Sequence, residues 1–323
     1  MNIVVTGSVA FDYLMSFPGY FRDHILPEHI ESISLSFLVD KMVRRRGGTA
    51  PNIAYTLALF GEHPRLLAAV GEDFEEYRIF LESNGIDTRG ARCIPGVYTA
   101  SFFANTDLAN AQIATFYTGA MAYAVQLSLK DLEGSRPDLV MITPNDPGAM
   151  NRYVLECQEM KIPYIYDPSQ QIVRLSADDV RHGLEGALAL FVNEYEFALV
   201  QKITGYQVRD ILQKVTFMVV TRGAQGSTIY SREEEYQIPG IPPEQTADPT
   251  GVGDAFRGGF VKAYCHRLDW DTCGRVGALA ATYCLEQQGT QNHSYTPAEF
   301  LSRYRRYFND QGKLDVLLRQ SGE

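Results

Sequence analysis

The loop Asp248-Pro249-Thr250-Gly251-Val252-Gly253-Asp254 combines residue types that suit the transfer of a phosphoryl group. Gly251 and Gly253 have no Cβ, so the backbone there can lie close to a ligand. A helical pattern follows, and the first amides of a helix, here those of Gly251, Val252 and Gly253, lack partners within it and attract a phosphate. Asp254 would repel a phosphate that is only bound, but as a base it could deprotonate a hydroxyl that attacks phosphorus. The alternative interpretation is a glycine-rich turn capped by aspartate.

No other phosphate-binding motif occurs in the sequence. The chain has no G-x-x-x-x-G-K-[ST] loop and no protein-kinase pair of glycine-rich and catalytic loops. The H-E-x-x-H and G-x-S-x-G patterns of metalloproteases and α/β-hydrolases are also missing. Phosphate chemistry in this protein therefore depends on the loop that ends at Asp254.

Alternating strand and helix patterns must position this loop. Short apolar runs followed by helical patterns are typical of an α/β fold with a mostly parallel, doubly wound sheet. We predict one such domain over residues 1–323. The predicted strands are 2–6, 65–70, 138–143, 163–167, 188–192 and 216–221, with an antiparallel pair near the sheet edge at 227–239. The predicted helices are 51–60, 74–84, 146–160, 176–186, 194–202 and 255–264.

Two segments do not fit this alternation. Residues 98–105 and 111–118 have the pattern of a β-hairpin, and residues 31–45 alternate loosely, as a strand exposed on one side does. A basic cluster lies at the end of the second segment: Lys41, Arg44, Arg45 and Arg46. A solvated strand edge that discourages further pairing is the favoured interpretation of this cluster, and steering of phosphates is the alternative.

Polar side chains stand where ligands bind in parallel sheets, just beyond the carboxyl ends of strands. Ser8 and Asp12 follow the first predicted strand, and Asn52 lies in the first turn of the helix after Gly47-Gly48. Taken alone, Asp12 fits a turn or a helix cap better than a ligand site. Asn52 fits a capping role and a ligand-binding role about equally well.

The ends of two later strands carry candidate nucleotide-binding residues. Asn193 and Glu196 could organise the waters of a Mg²⁺ ion, or they could form the capping box of a helix, and the two roles are compatible. Thr221 is followed by a turn of small residues with Gly223 and Gly226, which would let the backbone approach a nucleotide. An ordinary turn is the alternative there.

Composition limits the class of protein. The 323 residues carry a net charge of -10, which disfavours binding to a nucleic-acid duplex. The five scattered cysteines lack C-x-x-C spacing, which is unlike a thiolate metal site and fits a reduced, cytoplasmic compartment. The amino terminus does not resemble a signal peptide, and no apolar run is long enough for a membrane span.

Together and in this order, these motifs resemble the PfkB (ribokinase-like) family of carbohydrate and nucleoside kinases. The segment from Gly47 to Asn52 and the loop Asp248–Asp254 carry most of the resemblance, which extends from Val4 to about residue 300. Within the family, the runs Asp167-Pro168-Ser169-Gln170-Gln171 and Leu26-Pro27-Glu28-His29 resemble bacterial adenosine kinases of the actinobacterial type. The resemblance implies a three-layer ribokinase-like fold whose small β-sheet lid is formed by residues near 11–20, 31–45 and 97–119.

The resemblance also implies an activity and a set of site residues. ATP, with Mg²⁺, would phosphorylate the ribose 5′-hydroxyl of adenosine, giving AMP and ADP, with Asp254 as the base. The ribose would be held by Ser8, Asp12, Gly48 and Asn52, with Gly47 beside them. Phe102 and Phe116 would sandwich the purine, and Ser36, Gln170 and Gln171 would read its edge. The nucleotide would lie near Asn193, Glu196, Thr221, Gly223, Gly226 and Thr250.

Two points stay open at this stage. The acceptor could be another nucleoside or a sugar of the ribose or fructose type, because only the substrate pocket distinguishes these kinases. Many relatives also use K⁺ beside the anion hole, between the Asp248–Thr250 loop and the segment after Gly289. Here that segment contains His293, a poor ligand for a hard monovalent cation.

An apolar small sheet would also allow a homodimer to form.

Overall fold

The computed structural model describes residues 1–26, 31–32 and 34–318, and its strands and helices follow the predicted alternation. In chain order the strands are β1 (Ile3–Thr6), β2 (Ala10–Ser16), β3 (Lys41–Gly47), β4 (Arg65–Val70), β5 (Ala91–Cys93), β6 (Ala100–Thr106), β7 (Gln112–Tyr117), β8 (Leu139–Ile142), β9 (Tyr164–Tyr166), β10 (Ala189–Asn193), β11 (Phe217–Thr221), β12 (Ser227–Ser231) and β13 (Glu235–Ile238). The α-helices are α1 (Thr49–Leu59), α2 (Glu75–Ser83), α3 (Pro147–Met160), α4 (Ala177–Leu184), α5 (Glu194–Thr204), α6 (Val208–Lys214), α7 (Val252–Cys265), α8 (Trp270–Leu285) and α9 (Pro297–Tyr307).

A large sheet forms the centre of the fold. Within the described residues its strands lie in the order β13-β12-β11-β10-β9-β8-β1-β4-β5, parallel from β11 to β5. The antiparallel pair predicted at 227–239 is confirmed as the edge strands β12 and β13. Buried residues on the two faces of the sheet belong to separate cores. Val5 packs with α1, α7 and α8, whereas Val4 packs with α3 and α4. The predicted α/β class, with helices on both faces, is confirmed.

A second, smaller sheet contains β3, β2, β6 and β7, in that order. The predicted hairpin is confirmed: β6 pairs antiparallel with β7, and Phe102 lies directly across from Phe116. Strand β2 pairs parallel with β6 and antiparallel with β3, which places Asp12 beside Arg45. The small sheet therefore brings residues from three distant parts of the chain to one place.

The strand predicted over 31–45 is wrong in its first part. Residues 34–40 form no strand, and pairing begins only at Lys41. Phe37 of this segment packs locally instead, because it contacts the rings of Phe17 and Phe21 edge-on. Ile33 and the Pro27, Glu28 and His29 of the Leu26–His29 motif lie outside the described residues.

Candidate active site

A cleft of about 500 Å³ lies between the carboxyl ends of the large sheet's strands and the small sheet. Most of the residues predicted to bind the acceptor, together with those of the glycine loop, line it. They are Ser8, Asp12, Gly48, Asn52, Phe102, Phe116, Gln170, Gln171, Thr250, Gly251 and Asp254. Sequence reasoning missed Thr49, Met121, Arg174 and Thr290, which also line it. Gly47 lies just outside, against the Asp12 side chain, and Ser36 is exposed and is not one of the lining residues.

The glycine loop turns directly into helix α7. Gly251 is the residue before the helix and has φ of 77°, a left-handed conformation that favours glycine. A Cβ at this position would lie 2.8 Å from the Thr290 side chain, so glycine is also required by space. Val252, Gly253 and Asp254 form the first turn, where backbone amides have no carbonyl partner within the helix. Two of them, Val252 and Gly253, belong to the set predicted with Gly251 to bind an anion, and that role stays a prediction.

Asp254 is held by an amide and titrates near neutrality. Asn52 Nδ2 donates to Asp254 Oδ2 at 2.8 Å. Burial raises the pKa of Asp254 to about 7, against the opposing effects of the Arg257 guanidinium and of the Asn52 hydrogen bond. A carboxyl group with this pKa is largely ionised at slightly alkaline pH and still holds a transferred proton well. This suits a general base.

A hydrogen-bond chain behind Asn52 fixes the direction of its amide. Gln291 Nε2 donates to Asn52 Oδ1 at 2.7 Å and to the Tyr77 hydroxyl oxygen at 2.5 Å. The Tyr77 hydroxyl donates in turn to Gly47 O at 3.0 Å. With its oxygen engaged, Asn52 can present only its NH₂ group to Asp254. Helix α1 starts after Gly48, so Asn52 does not cap it, and its contact with a ligand stays a prediction.

Arg257 lies one turn beyond Asp254 and forms a buried ion pair with Asp167. Arg257 Nη2 donates to Asp167 Oδ1 at 2.8 Å, and Nε lies against the other carboxylate oxygen. A Cβ on Gly253 would lie 2.8 Å from Arg257 Nη1, so the guanidinium sits directly under the glycine loop. Sequence reasoning missed Arg257. An arginine three residues after Asp254, in the otherwise apolar start of a helix, was the available signal.

Ser8, Asp12 and Gly48 line one part of the cleft, and Gly47 lies behind Asp12. Gly48 has φ of 96°, and a Cβ there would lie 2.4 Å from Ser8 O. A Cβ on Gly47 would lie 2.7 Å from Asp12 Oδ2. Both glycines thus allow the strand to pass close to the acceptor-side residues. Burial raises the pKa of Asp12 to about 6, against the nearby Arg45 cation.

The predicted nucleotide-binding residues lie at the ends of β10 and β11. Asn193 and Thr221 are direct neighbours in adjacent parallel strands. Asn193 and Glu196 form the capping box of α5: Glu196 N donates to Asn193 Oδ1 at 2.8 Å, and Asn193 N donates to Glu196 Oε2 at 2.7 Å. Gly223 and Gly226 have φ of 54° and 92° in the turn after β11. The capping interpretation of Asn193 and Glu196 is therefore confirmed.

These residues fit a Mg²⁺ ion that is held through water. No group of three or more His, Cys, Asp or Glu side chains in the described part of the chain could bind a metal directly. The buried Glu196 carboxylate accepts one bond at each oxygen, the second from Ser169 Oγ at 3.1 Å. A carboxylate has about four acceptor positions, so Glu196 can still orient metal-bound water. When bound with a nucleotide, Mg²⁺ would neutralise phosphate charge.

All five cysteines are free thiols in the structure. Over the ranges it describes, no helix has both the length and the apolar character needed to cross a bilayer.

Comparison with known proteins assigns the family. The pfkB family of carbohydrate kinases matches residues 9–297. A nucleoside kinase of Methanothermobacter thermautotrophicus is 30% identical over 311 residues, which is 94% of this chain and 95% of the relative. The nucleoside kinase of Burkholderia thailandensis in complex with inosine superposes with a TM-score of 0.85 at 33% identity, over 95% of this chain and 98% of that one. The structure of its complex with ADP-inosine superposes with a TM-score of 0.82 at 36% identity, over 95% of this chain and 96% of that one.

Enzymes of this family use ATP and Mg²⁺ in general, and the fold of the chain is ribokinase-like with a second small sheet. The chain therefore belongs to the pfkB family of carbohydrate kinases and is a phosphotransferase with an alcohol group as acceptor.

Proposed function

We propose that this enzyme is a nucleoside kinase that transfers the γ-phosphoryl group of ATP to the ribose 5′-hydroxyl of adenosine, giving AMP and ADP. The observation that carries the proposal is the arrangement of one cleft. It brings together Asp254 and Gly251 of the glycine loop, polar residues suited to ribose hydroxyls, and two phenylalanines on the small sheet. The relatives named as nucleoside kinases and the inosine complex of one of them support it.

Asp254 would perform the proton transfer. One carboxylate oxygen takes the proton of the 5′-hydroxyl while the hydroxyl oxygen forms a bond to the γ-phosphorus. The bond between the γ-phosphorus and the bridging oxygen breaks, and its electron pair leaves with ADP. The amides of Gly251, Val252 and Gly253 stabilise the charge on the transferring phosphoryl group. Asn52, fixed by Gln291, keeps the carboxylate turned toward the acceptor.

Ribose binding is assigned to the wall that contains Asp12. A carboxylate accepts hydrogen bonds from two vicinal hydroxyls, and Ser8, Asn52 and the backbone at Gly47-Gly48 add further contacts. Phe102 and Phe116 supply aromatic surface for a purine to stack against or between. Gln170 and Gln171 would contact the edge of the base. Ser36 is assigned to a closed form, in which the small sheet acts as a lid over the cleft and excludes water.

The nucleotide would lie along the ends of β10 and β11. Its phosphates would reach the glycine loop past Thr250, with the base near Thr221, Gly223 and Gly226. Asn193 and Glu196 would orient the waters of Mg²⁺. The cytoplasm, which supplies ATP, is the compartment that we assign, in agreement with the five free thiols.

Inosine is a second candidate acceptor, and Arg174 is the observation that favours it. Arg174 lines the cleft, and its guanidinium can only donate hydrogen bonds. Position 6 of hypoxanthine is an acceptor, whereas position 6 of adenine is a donor. A donor in the cleft therefore favours a 6-oxopurine. The variant Arg174→Ala is expected to lower kcat/KM for inosine by about tenfold, because one charge-assisted hydrogen bond is lost. The kcat/KM for adenosine should stay nearly unchanged.

An ATP-coupled assay tests the proposal directly. Adenosine, inosine, guanosine, cytidine, ribose and fructose are compared as acceptors under the same conditions. We expect kcat/KM for a purine nucleoside to exceed that for either sugar by orders of magnitude. A free sugar that matches the best nucleoside would overturn the proposal, and a pyrimidine nucleoside as the best acceptor would restrict it to nucleosides in general.

The small sheet is also the surface that we assign to a homodimer. Strand β7 is one of its two edge strands in the described chain, and Ile113, Phe116 and Tyr117 on β7 are exposed by 43%, 48% and 44%. An exposed apolar strand edge is suited to pairing with another copy. Light scattering of the purified protein and of Ile113→Lys is expected to give a dimer and a monomer, respectively.

A further inference from the structure

Asp248, at the start of the glycine loop, accepts three hydrogen bonds from within the chain. Its Oδ1 accepts from Thr250 N at 3.0 Å. Its Oδ2 accepts from Gly289 N at 3.0 Å and from Arg45 Nη1 at 2.6 Å. In many of the kinases that the sequence resembles, a K⁺ site lies between the two loops. Here the guanidinium of Arg45 lies beside the carboxylate.

Arg45 bridges the two loops that would enclose such an ion. Its Nη1 binds Asp248 and its Nη2 donates to Gln288 Oε1 at 2.8 Å. The side chains of Arg45 and Asp248 are only 21% and 14% exposed, so water screens this pair weakly. A metal cation placed here would find the Asp248 carboxylate already paired with Arg45, and the guanidinium would repel it. These residues therefore do not fit K⁺.

His293, which the sequence placed near the same site, points elsewhere. It is buried, with Nε2 3.5 Å from Thr56 Oγ1 on helix α1, and its carbonyl oxygen accepts from the Tyr55 hydroxyl at 2.9 Å. His293 thus packs in the core and not against Asp248. Its presence says nothing about cation binding, and the case rests on Arg45.

We infer that Arg45 serves as a built-in cation that replaces the monovalent metal ion beside the anion hole and makes the enzyme independent of K⁺. A guanidinium remains charged at all working pH values. Through Asp248 it holds the Thr250 amide, and Thr250 directly precedes Gly251, the residue from which α7 starts. Arg45 is therefore a positioning residue: it aligns the anion-binding amides without touching the phosphate.

The same side chain connects the two sheets. Arg45 lies on β3, opposite Asp12 of β2, and it reaches across to the glycine loop that follows the large sheet. The solvated-edge interpretation of the basic cluster is thus wrong for this member. Arg44, its neighbour, pairs with Glu76 at 3.3 Å and lies over the Phe11 ring. The two arginines make different contacts, which provides a matched control.

The experiment compares kcat in K⁺, Na⁺ and choline chloride at equal ionic strength, with Mg²⁺-ATP and whichever alcohol proves to be the best acceptor. The comparison of salts does not depend on which acceptor is used. Its result for Arg45 can therefore be interpreted even if the enzyme proves not to be a nucleoside kinase. The unmodified enzyme is expected to show the same kcat in all three salts, within about twofold. Arg45→Ala is expected to lose about 10- to 100-fold in choline, the effect of misplaced phosphate-binding groups, and to recover several-fold in K⁺ or guanidinium chloride.

Thermal unfolding supplies a readout that does not need turnover. K⁺ is expected to raise the Tm of Arg45→Ala above its value in choline, because the ion then binds the vacated carboxylate, and to leave the unmodified protein unchanged. Arg44→Ala should behave like the unmodified enzyme in both measurements. Strong K⁺ activation of the unmodified enzyme would overturn the inference. So would a loss in Arg45→Ala that no cation restores, because Arg45 would then have a structural role only.

Discussion

At the scale of single residues, the site is defined by the surroundings of one carboxyl group. Asp254 receives the Asn52 amide, lies near the Arg257–Asp167 ion pair and is half-buried in the lining of the cleft. Burial raises its pKa, while the nearby guanidinium limits the rise. The outcome is a pKa of about 7 for the carboxyl group that we propose as the base. The surrounding groups thus determine the strength of the base, and the glycine loop determines what lies in front of it.

The variant Asp254→Asn tests the base. It keeps the shape of the side chain and removes its proton affinity, so kcat is expected to fall by about 10²–10⁴-fold, with little change in the dissociation constant of the acceptor. Steady-state kinetics and calorimetry of acceptor binding measure the two quantities. Asp178→Asn, at an exposed aspartate on α4, is the control. If Asp254→Asn turned over at near-normal rates, the base assignment would be wrong.

The pH dependence of kcat/KM tests the two raised carboxyl pKa values. Asp254 must be ionised to take a proton and Asp12 must be ionised to accept two hydroxyls, and their pKa values are about 7 and about 6. Activity is expected to rise with pH, to reach half its plateau near pH 7 and to fall with a steeper slope below pH 6. In Asp12→Asn the steeper part should disappear. A profile that stays flat down to pH 5 would contradict both assignments.

At the scale of elements, the site depends on how closely α1 and α7 cross. Asn52 belongs to α1 and Asp254 to α7, so their 2.8 Å hydrogen bond reports the separation of the two helices. Gly258 makes this contact possible: a Cβ there would lie 2.7 Å from Thr56 Cβ and 3.1 Å from Ile53 O. On the far side of α7, Gly259 allows the same close approach to Ala280 of α8.

The variant Gly258→Ala is expected to push α1 away from α7. Overpacking of this kind costs about 1–3 kcal/mol in the free energy of unfolding, and kcat should fall as well because Asn52 moves with its helix. Chemical denaturation and steady-state kinetics measure the two effects. Gly148→Ala, at an exposed glycine in the first turn of α3, is the matched control. A variant with unfolding free energy and kcat both unchanged would show that the crossing tolerates a methyl group.

Most elements were predictable because their signals are local. Buried parallel strands such as β1 and β8 are short apolar runs, and Gly48 and Gly251 mark positions that only glycine fills easily. Residues 34–40 were mispredicted because the alternation does not mark a paired strand: Phe37 packs on local rings, whereas Leu35 is exposed. The contacts that complete the site were not predictable, since they join residues far apart in the chain. Arg45 reaches Asp248 across 203 positions, and Gln291 reaches Asn52 across 239.

At the scale of the whole molecule, the raised carboxyl pKa values of the site lower the free energy of unfolding. Asp254 and Asp12 are carboxylates that burial holds at raised pKa values, in a chain whose net charge is -10. A carboxyl group that is harder to ionise in the folded state than in the unfolded chain destabilises the fold once the pH passes its pKa in the unfolded chain. The loss in the free energy of unfolding grows until the pH reaches the pKa of the group in the folded state. For Asp254 this window runs from about 4 to about 7.

The same variant that abolishes turnover is therefore expected to stabilise the protein, and only at higher pH. Asp254→Asn removes the buried charge, so its Tm should exceed that of the unmodified enzyme at pH 8, and the difference should shrink as the pH approaches 4.5. Differential scanning calorimetry across this range measures it, with Asp178→Asn as the control. An equal difference in Tm at every pH would mean that packing, and not ionisation, separates the two proteins. A lower Tm at pH 8 would mean that the Asp254 carboxylate stabilises the fold, against the raised pKa from which its role as base was argued.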